Sequence, residues 1–354
     1  MGKIPLYKQI QKSIRDKIIS GELRPKDLIP SEQEISGEFK VSKITAKNAV
    51  IGLADEGLVI RIQGKGTFVS RQPDSSDMAK LLTPTIQTSD FIGLIIPTMK
   101  TKVIQKLLNN IEYFLKEEGF QLVLHITRES SSIESRAINE LKKSGVKGII
   151  VFPTEDEKYN ESLLRLSLDK FPFVFIDRFL RNIDTYIITS DNYGGTYEAV
   201  SSLLNKGHRQ IALISPENTN TAIEDRTSGF EKAYIDSSVL IDKSLWCHVP
   251  LSILRAGDTL WYINDFLRSR PNISAVFTLT AEMANLTYRS LHQLALTVQD
   301  IELLSFDDPE IPGVPFIMQD EQSMAQAAVE LLKKQIAGEY TPQQVVIPVK
   351  LVTL

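Results

Sequence analysis

Ser42, Lys43, Thr45 and Lys47 fall within the first turn and a half of one helical pattern. The backbone N–H groups of a helix start point outward, and hydroxyl and ammonium groups placed there reach phosphate oxygens and base edges. A further cation, Lys65, stands between Gly64 and Gly66. Two such glycines permit the positive φ of a tight turn and let the backbone approach another molecule closely. The chemistry open to this set is recognition of a polyanion. A Walker-type phosphate loop is excluded by spacing, because the position five before Gly64 is Val59.

These residues need elements to hold them. Leu6, Ile10, Ile14 and Ile18 recur at helical spacing, Ile19 widens the stripe and Gly21 closes the helix. Ser31-Glu32-Gln33-Glu34 follows Pro30 as a capping-box pattern, and the helix it opens carries Ile35 inward and ends near Phe39. Ser42 caps the next helix, which stops at Gly57, with Ile44, Val50 and Leu53 as its apolar face. Two helices joined by a short turn, the second cationic at its start, describe a helix-turn-helix. Leu58–Ile62 and Thr67–Ser70 then read as the strands of a hairpin whose tip carries Lys65.

The chain of 354 residues is long enough for two or three domains with sizeable cores. Its formal net charge of −4 hides an asymmetry: residues 1–72 hold 13 basic and 8 acidic residues, net +5, and the rest hold 27 and 36, net −9. A basic head on an acidic body fits a nucleic-acid-binding module joined to something that does not bind nucleic acid. Cys247 is the only cysteine, which excludes an intrachain disulfide and a cysteine-based metal cluster. The N-terminus lacks the apolar core of a signal peptide, and Leu6 stands where a myristoylation signal needs Ser or Thr. The longest apolar runs, such as Phe91 to Pro97, fall far short of a membrane span. The expectation is a cytoplasmic protein without membrane attachment, metal or cofactor.

Residues 72–89 begin with the polar, structure-breaking run Gln72-Pro73-Asp74-Ser75-Ser76-Asp77 and read as a linker. Beyond it, strand patterns (Phe91–Pro97, Phe120–His125, Gly148–Phe152, Phe173–Asp177, Tyr186–Ser190, Gln210–Ser215, Ala275–Leu279, Ile301–Phe306) alternate with helical ones. One of those helical patterns runs from Ala256 to Ser269. Such alternation implies α/β architecture with parallel sheets wound on both faces, where ligands bind outside the carboxyl ends of the strands. Those ends are Pro97-Thr98, Pro153-Thr154, Asp177-Arg178, Asp191-Asn192, Thr278 to Thr280 and Asp307-Asp308, rich in charged and hydroxyl groups.

Pro5-Leu6-Tyr7, Ser20-Gly21-Glu22-Leu23, Ile29-Pro30-Ser31-Glu32, Val41-Ser42-Lys43, Glu56-Gly57-Leu58 and Gly64-Lys65-Gly66-Thr67-Phe68-Val69 come in order and at fitting spacing. On them, residues 1–71 resemble the GntR-type winged helix-turn-helix. That resemblance implies that Tyr7, Ser31, Gln33, Ser42, Lys43, Thr45 and Lys47, with the wing residues Gly64, Lys65 and Gly66, contact operator DNA. Gln33, Lys43 and Lys47 stand where arginines are usual. Lysine is a point charge without the bidentate fork to guanine, so phosphate anchoring is expected to survive while the operator departs from the common half-site.

Ile176-Asp177-Arg178, Asp191-Asn192-Tyr193-Gly194-Gly195, Gly207-His208-Arg209-Gln210-Ile211, Arg226-Thr227-Ser228-Gly229-Phe230 and Ser305-Phe306-Asp307-Asp308 are likewise in order. On them, residues 90–354 resemble the effector-binding and dimerisation domain of LacI/GalR regulators, which is similar to periplasmic sugar-binding proteins. The resemblance implies two α/β subdomains joined by three crossings, a small molecule in the cleft and a homodimer. Carried over, Arg178, Asn192 and Arg226 offer donors, Asp307 a carboxylate for neighbouring hydroxyls, and Gln319 an amide. Trp246 sits near the aromatic platform, and Thr98 and Thr154 line the other wall. A GntR-type head on such a body is the arrangement of the arabinose-repressor group of bacterial regulators. It implies a repressor of carbohydrate genes released by a sugar, with a pentose among the candidates. An expected Asn-Asp pair falls on Thr280-Ala281, and Lys100 lies near the first strand's end, which leaves open a nucleoside, a sugar acid or a phosphorylated effector, and an activator. His208 is expected to pack or hydrogen-bond within its turn and Cys247 to fill the core. The body shows no nucleophile–base–acid order and no dinucleotide glycine motif, which argues against an enzyme.

Overall fold

The computed structural model describes residues 6–62, 66–70, 91–155, 159–181, 183–217 and 220–353. The expected linker 72–89 and the wing-tip residues Gly64 and Lys65 lie outside the described residues. The chain divides into two units, Met1–Ile86 and Gln87–Leu354.

In the first unit, α1 (Leu6–Ile19), α2 (Glu32–Glu38) and α3 (Lys43–Asp55) precede an antiparallel hairpin of β1 (Val59–Ile62) and β2 (Gly66–Val69). Ile10 and Ile14 of α1, Ile35 of α2, and Ala46, Ala49, Val50 and Leu53 of α3 share one core with Val59 and Val69. The capping box is complete: the Ser31 amide donates to Glu34 Oε2 at 2.7 Å and the Glu34 amide to Ser31 Oγ at 3.3 Å. The hairpin is held to the helices by the segment before α2, where the Ile29 amide donates to the Thr67 carbonyl at 2.9 Å. One expectation fails. Ile44 is 71% exposed and takes no part in the core. It lies two residues, about 200° of helical turn, from Ala46, and the inward stripe runs through Ala46, Ala49, Val50 and Leu53 instead.

The second unit has two lobes. β3 (Phe91–Ile96), α4 (Lys102–Glu117), β4 (Gln121–Ile126), α5 (Ser131–Ser144), β5 (Gly148–Val151), α6 (Glu161–Leu168), β6 (Phe173–Ile176) and β7 (Tyr186–Ser190) start the first lobe. The chain crosses to the second with α7 (Asn192–Asn205), β8 (Ile211–Pro216), α8 (Thr221–Asp236), β9 (Trp246–Val249), α9 (Leu251–Ala256) and α10 (Thr259–Arg268). β10 (Ala275–Thr278), α11 (Ala281–Gln293), β11 (Glu302–Phe306) and β12 (Phe316–Met318) follow there. α12 (Glu321–Ile336) and β13 (Gln344–Ile347) return to the first lobe, and β14 (Lys350–Val352) ends in the second. The three crossings thus fall between Ser190 and Asn192, Met318 and Glu321, and Ile347 and Lys350.

The first sheet has the order β13-β7-β6-β5-β3-β4, all parallel; the second runs β14-β12-β11-β10-β8-β9, parallel except for β14. Alternate residues of one strand feed opposite faces. Ile211 and Leu213 of β8 enter one core cluster and Ala212 and Ile214 the other, as a sheet covered on both sides requires. The helix expected over 256–269 is two helices: Gly257, at φ 83°, ends α9 in a left-handed cap before α10 begins.

Candidate ligand cleft and nucleic-acid interface

The carboxyl ends of both sheets meet at a buried polar cluster centred on Arg226 of α8. The residue is 4% exposed, and its side chain donates from Nε to Asn192 Oδ1 at 2.8 Å and from Nη1 to the Leu279 carbonyl at 2.6 Å. The same Nη1 lies 3.7 Å from Asp307 Oδ2, and the guanidinium stacks on the Phe306 ring at 3.6 Å from the centroid. The arrangement depends on Gly229 one turn along. A Cβ there would stand 2.3 Å from the Tyr193 carbonyl oxygen, so glycine lets α8 close onto α7 and brings Arg226 to Asn192. Asp307 accepts from Gln319 Nε2 at 2.6 Å, and Gln319 Oε1 accepts in turn from Ser190 Oγ at 2.5 Å. The chain of bonds therefore reaches from the second lobe through two crossing segments to the end of β7.

The first lobe contributes its own cation. Arg178 lies over Phe152, 4.9 Å from the ring centroid, and donates from Nη2 to Glu129 Oε1 at 3.2 Å. Its Nε is buried and bonds to no acceptor among the described residues. Glu129 also accepts from the Glu155 amide at 2.7 Å, which fastens the loop after β5. Glu134, fully buried, steadies the same loop by accepting from the Thr154 amide at 3.1 Å and Asn160 Nδ2 at 2.9 Å. Burial pushes the carboxyls of Asp177 and Asp307 above the usual range, and the nearby Arg226 charge offsets part of that. Desolvation conversely pulls the Arg226 guanidinium down, against the pull of Asp307 and Asp177. On the rim the lobes also touch through Arg181 Nη2 to Glu224 Oε2 at 2.6 Å and the Phe179 amide to Thr221 Oγ1 at 3.2 Å. Acceptors, donors and an aromatic floor within one enclosed cluster can bind a small ligand rich in hydroxyls.

On the first unit, Lys43, Ile44, Lys47 and Asn48 are exposed along α3, and Gln33 is exposed on α2. Lys43 and Lys47 pair with no acid among the described residues. Ser42 caps α3 by accepting from the Thr45 amide at 3.2 Å, and its hydroxyl meets Thr45 Oγ1 at 2.9 Å. Ser31 is likewise a cap, so both serines have structural work besides any contact. Tyr7 is 37% exposed on α1, and Gly66 opens β2 at φ 114°.

Residues 6–69 match the bacterial regulatory proteins of the gntR family, and residues 89–302 match the periplasmic binding proteins and sugar-binding domain of the LacI family. The chain belongs to this LacI-type family and carries a GntR-type head. The arabinose metabolism transcriptional repressor of Geobacillus stearothermophilus is 27% identical over 318 residues, covering 86% of this chain and 82% of that protein. The structure of the transcription regulator CcpA of Lactococcus lactis is similar with a TM-score of 0.67 at 16% identity, covering 75% of this chain and 98% of that one. A periplasmic binding protein/LacI transcriptional regulator from Alkaliphilus metalliredigens QYMF, complexed with D-xylulofuranose, has a TM-score of 0.61 at 23% identity, covering 75% of this chain and 100% of that one. Both solved structures share the fold of the LacI-type unit.

Within that unit, Arg226, Asn192, Asp307 and Gln319 form one bonded cluster, and Arg178 and Thr154 belong to the adjoining first-lobe network. Residue types alone point to Arg178 and miss its neighbour Asp177, whose carboxyl is raised by burial and lies within the influence of the Arg226, Arg178 and Asp307 charges. Its position at the carboxyl end of β6 is the signal that points to it. Trp246 and Thr98 make no bond to the cluster. Trp246 opens β9 opposite Leu213 and packs edge-on against Phe230 at 6.0 Å, whereas the carboxyl end of β9 is Val249. Thr98 Oγ1 accepts from the Lys100 amide at 3.1 Å.

At the amino ends of the second sheet, His208 Nδ1 meets Ser274 Oγ at 3.0 Å and His208 Nε2 meets Glu302 Oε2 at 3.0 Å. The trio has triad residue types, but Lys206 shares the Glu302 carboxylate at 2.6 Å and the cluster fastens three loops remote from the cleft. Cys247 is buried, its thiol pushed up to about 12 by desolvation, which makes it an inert core residue.

Proposed function

We propose that this protein is a DNA-binding repressor of carbohydrate-utilisation genes, released from its operator by a small sugar bound between the lobes of 87–354. The observation that carries the reading is the Asn192–Arg226–Asp307–Gln319 cluster at the crossings, on the same chain as a helix-turn-helix with unpaired lysines on its exposed helix. Asp307 accepts from two adjacent hydroxyls, and the Arg178 and Arg226 guanidiniums donate to ring and hydroxyl oxygens. A pentose is the preferred class, because the name of one relative records arabinose metabolism and one structural neighbour holds a furanose sugar. The protein works in the cytoplasm as a homodimer that sets two α3 helices in successive major grooves of a pseudo-palindromic operator. No helix among the described residues is long and apolar enough to cross a membrane. Sugar binding fixes how the lobes meet, and with it the spacing of the two heads.

The test is a thermal-shift screen of the full chain against pentoses, hexoses, uronic acids, nucleosides and sugar phosphates. A ligand at 100 times its Kd adds about 2.7 kcal/mol of stability. A neutral sugar that shifts the melt, loses its effect in Asp307→Ala and releases operator DNA establishes the reading. A shift with phosphorylated or acidic ligands alone replaces the sugar, and no shift with any ligand removes the effector.

A further inference from the structure

The exposed face of α3 contains an apolar residue where polar ones are expected. Ile44 is 71% exposed, and Ile51, two turns along, is 40% exposed. The residue one turn beyond Ile44 on the same face is Asn48, exposed and with its side-chain amide bonded to no described residue. Lys43 and Lys47 flank them. α3 contains no arginine, the side chain that forks to guanine O6 and N7. An isoleucine in open water gains nothing from its position, and the core is complete without it. Apolar side chains pack on the thymine 5-methyl in the major groove, and an asparagine amide pairs in bidentate fashion with adenine N6 and N7. Four residues of helix advance about 6 Å, which spans about two base steps of 3.4 Å.

We propose that α3 reads A·T pairs through Ile44, packed on a thymine methyl, and Asn48, paired to an adenine within about two base steps of it. Lys43 and Lys47 anchor the flanking phosphates and hold the helix in register. This rests on the DNA-binding reading above and assigns its specificity to two residues outside the expected contact set.

The test starts with full-length protein and a randomised duplex pool, from which a preferred sequence is selected. Each thymine of that duplex is then replaced by uracil, which removes only the 5-methyl, and each adenine by 7-deazaadenine, which removes only N7. Burial of one methyl is worth about a four-fold change in affinity. Wild-type protein is expected to lose about four-fold at one thymine per half-site, and Ile44→Ala to bind weakly but show no further loss on uracil replacement there. Asn48→Ala is expected to lose about 5- to 150-fold on the selected duplex and to become indifferent to 7-deazaadenine at one position. Both residues are exposed, and the uracil arm uses unmodified protein, so a folding defect cannot imitate the result. Equal sensitivity of wild type and Ile44→Ala to every uracil, or a selected sequence read only at G·C pairs, overturns the proposal while leaving DNA binding intact. Failure to bind any duplex in a salt-dependent way overturns the DNA-binding reading itself.

Discussion

Asp177 and Asp307 occupy the same place in the two lobes. Each follows the last residue of its strand, β6 or β11, and each has φ 70°. Each donates its amide to the neighbouring strand, Asp177 to the Ile188 carbonyl at 2.8 Å and Asp307 to the Ile317 carbonyl at 3.0 Å. Aspartate tolerates the left-handed region better than most residues, because its short side chain can bond locally. The repeated backbone geometry buries a carboxylate at the carboxyl end of each sheet, and the charge of Arg226, 3.7 Å from Asp307, acts on both.

The first prediction concerns pH. Burial raises both carboxyls above the 3.8 of a free aspartate. Under the sugar reading proposed above, protonation of Asp307 removes an acceptor for ligand hydroxyls, so effector affinity should fall as pH drops through its raised folded value, earlier than an ordinary carboxylate permits. The effect on folding has the opposite sign. Groups with a raised folded pKa contribute stability that is full below 3.8 and lost as pH rises through the folded value. Acidification should therefore weaken binding without these two groups weakening the fold. Calorimetric titration of the effector from pH 8 downward, with melts at each pH, separates the two. Asp307→Asn should flatten the acid limb, and an unchanged limb in that variant refutes the assignment.

Removing Arg226 should be severe. Arg226→Met leaves Asp307 and Asp177 buried beside each other's charge and frees the Asn192 and Leu279 oxygens. Breaking a buried pair from one side costs about 3–5 kcal/mol, readable in urea denaturation. Arg226→Lys should rescue little, since an ammonium cannot bond Asn192 and Leu279 together while lying flat on Phe306. Arg226→Met with Asp307→Asn should recover part of the loss. A double variant no more stable than the single one contradicts the coupling.

Much of this could be read from residue order, and what could not has a physical cause. Runs such as Phe91–Ile96 and Phe173–Ile176 are legible because strands covered on both faces are continuously apolar. β9, β12, β13 and β14 are not: none is buried along its whole length, and three of them are sheet edges. The Trp246 aromatic is legible, but its place at the amino end of β9 is set by pairing with β8. Ile44 looks like a core residue because hydrophobicity alone does not say which side of a short helix is inward. Alanines do that here, at Ala46 and Ala49.

Ser42 separates capping from contact. Ser42→Ala removes the acceptor for the Thr45 amide and should cost the head about 1 kcal/mol, lowering its melting transition. Ser42→Asp keeps the cap and adds an anion beside the helix start, which favours the helix dipole but repels phosphate. The aspartate variant should therefore fold as well as wild type and bind DNA far more weakly. Wild-type affinity in Ser42→Asp would place this end of α3 away from the phosphates.

Lys43 and Lys47 should show themselves through salt. Neither has an acidic partner among the described residues, so each is free to displace a condensed counterion from DNA. Affinity should fall linearly on a log–log plot against salt, and replacing either lysine by alanine should reduce the slope by about 1 in magnitude. The loss should be uniform across sequences, because a point charge on a phosphate carries no base information. Ile44→Ala should do the reverse, leaving the slope untouched while narrowing the gap between preferred and random duplex. Fluorescence anisotropy with both duplexes from 50 to 300 mM salt, on the order of the range where this term dominates, measures slope and gap together. A lysine variant that changes the gap but not the slope would mean that the cation contacts a base edge.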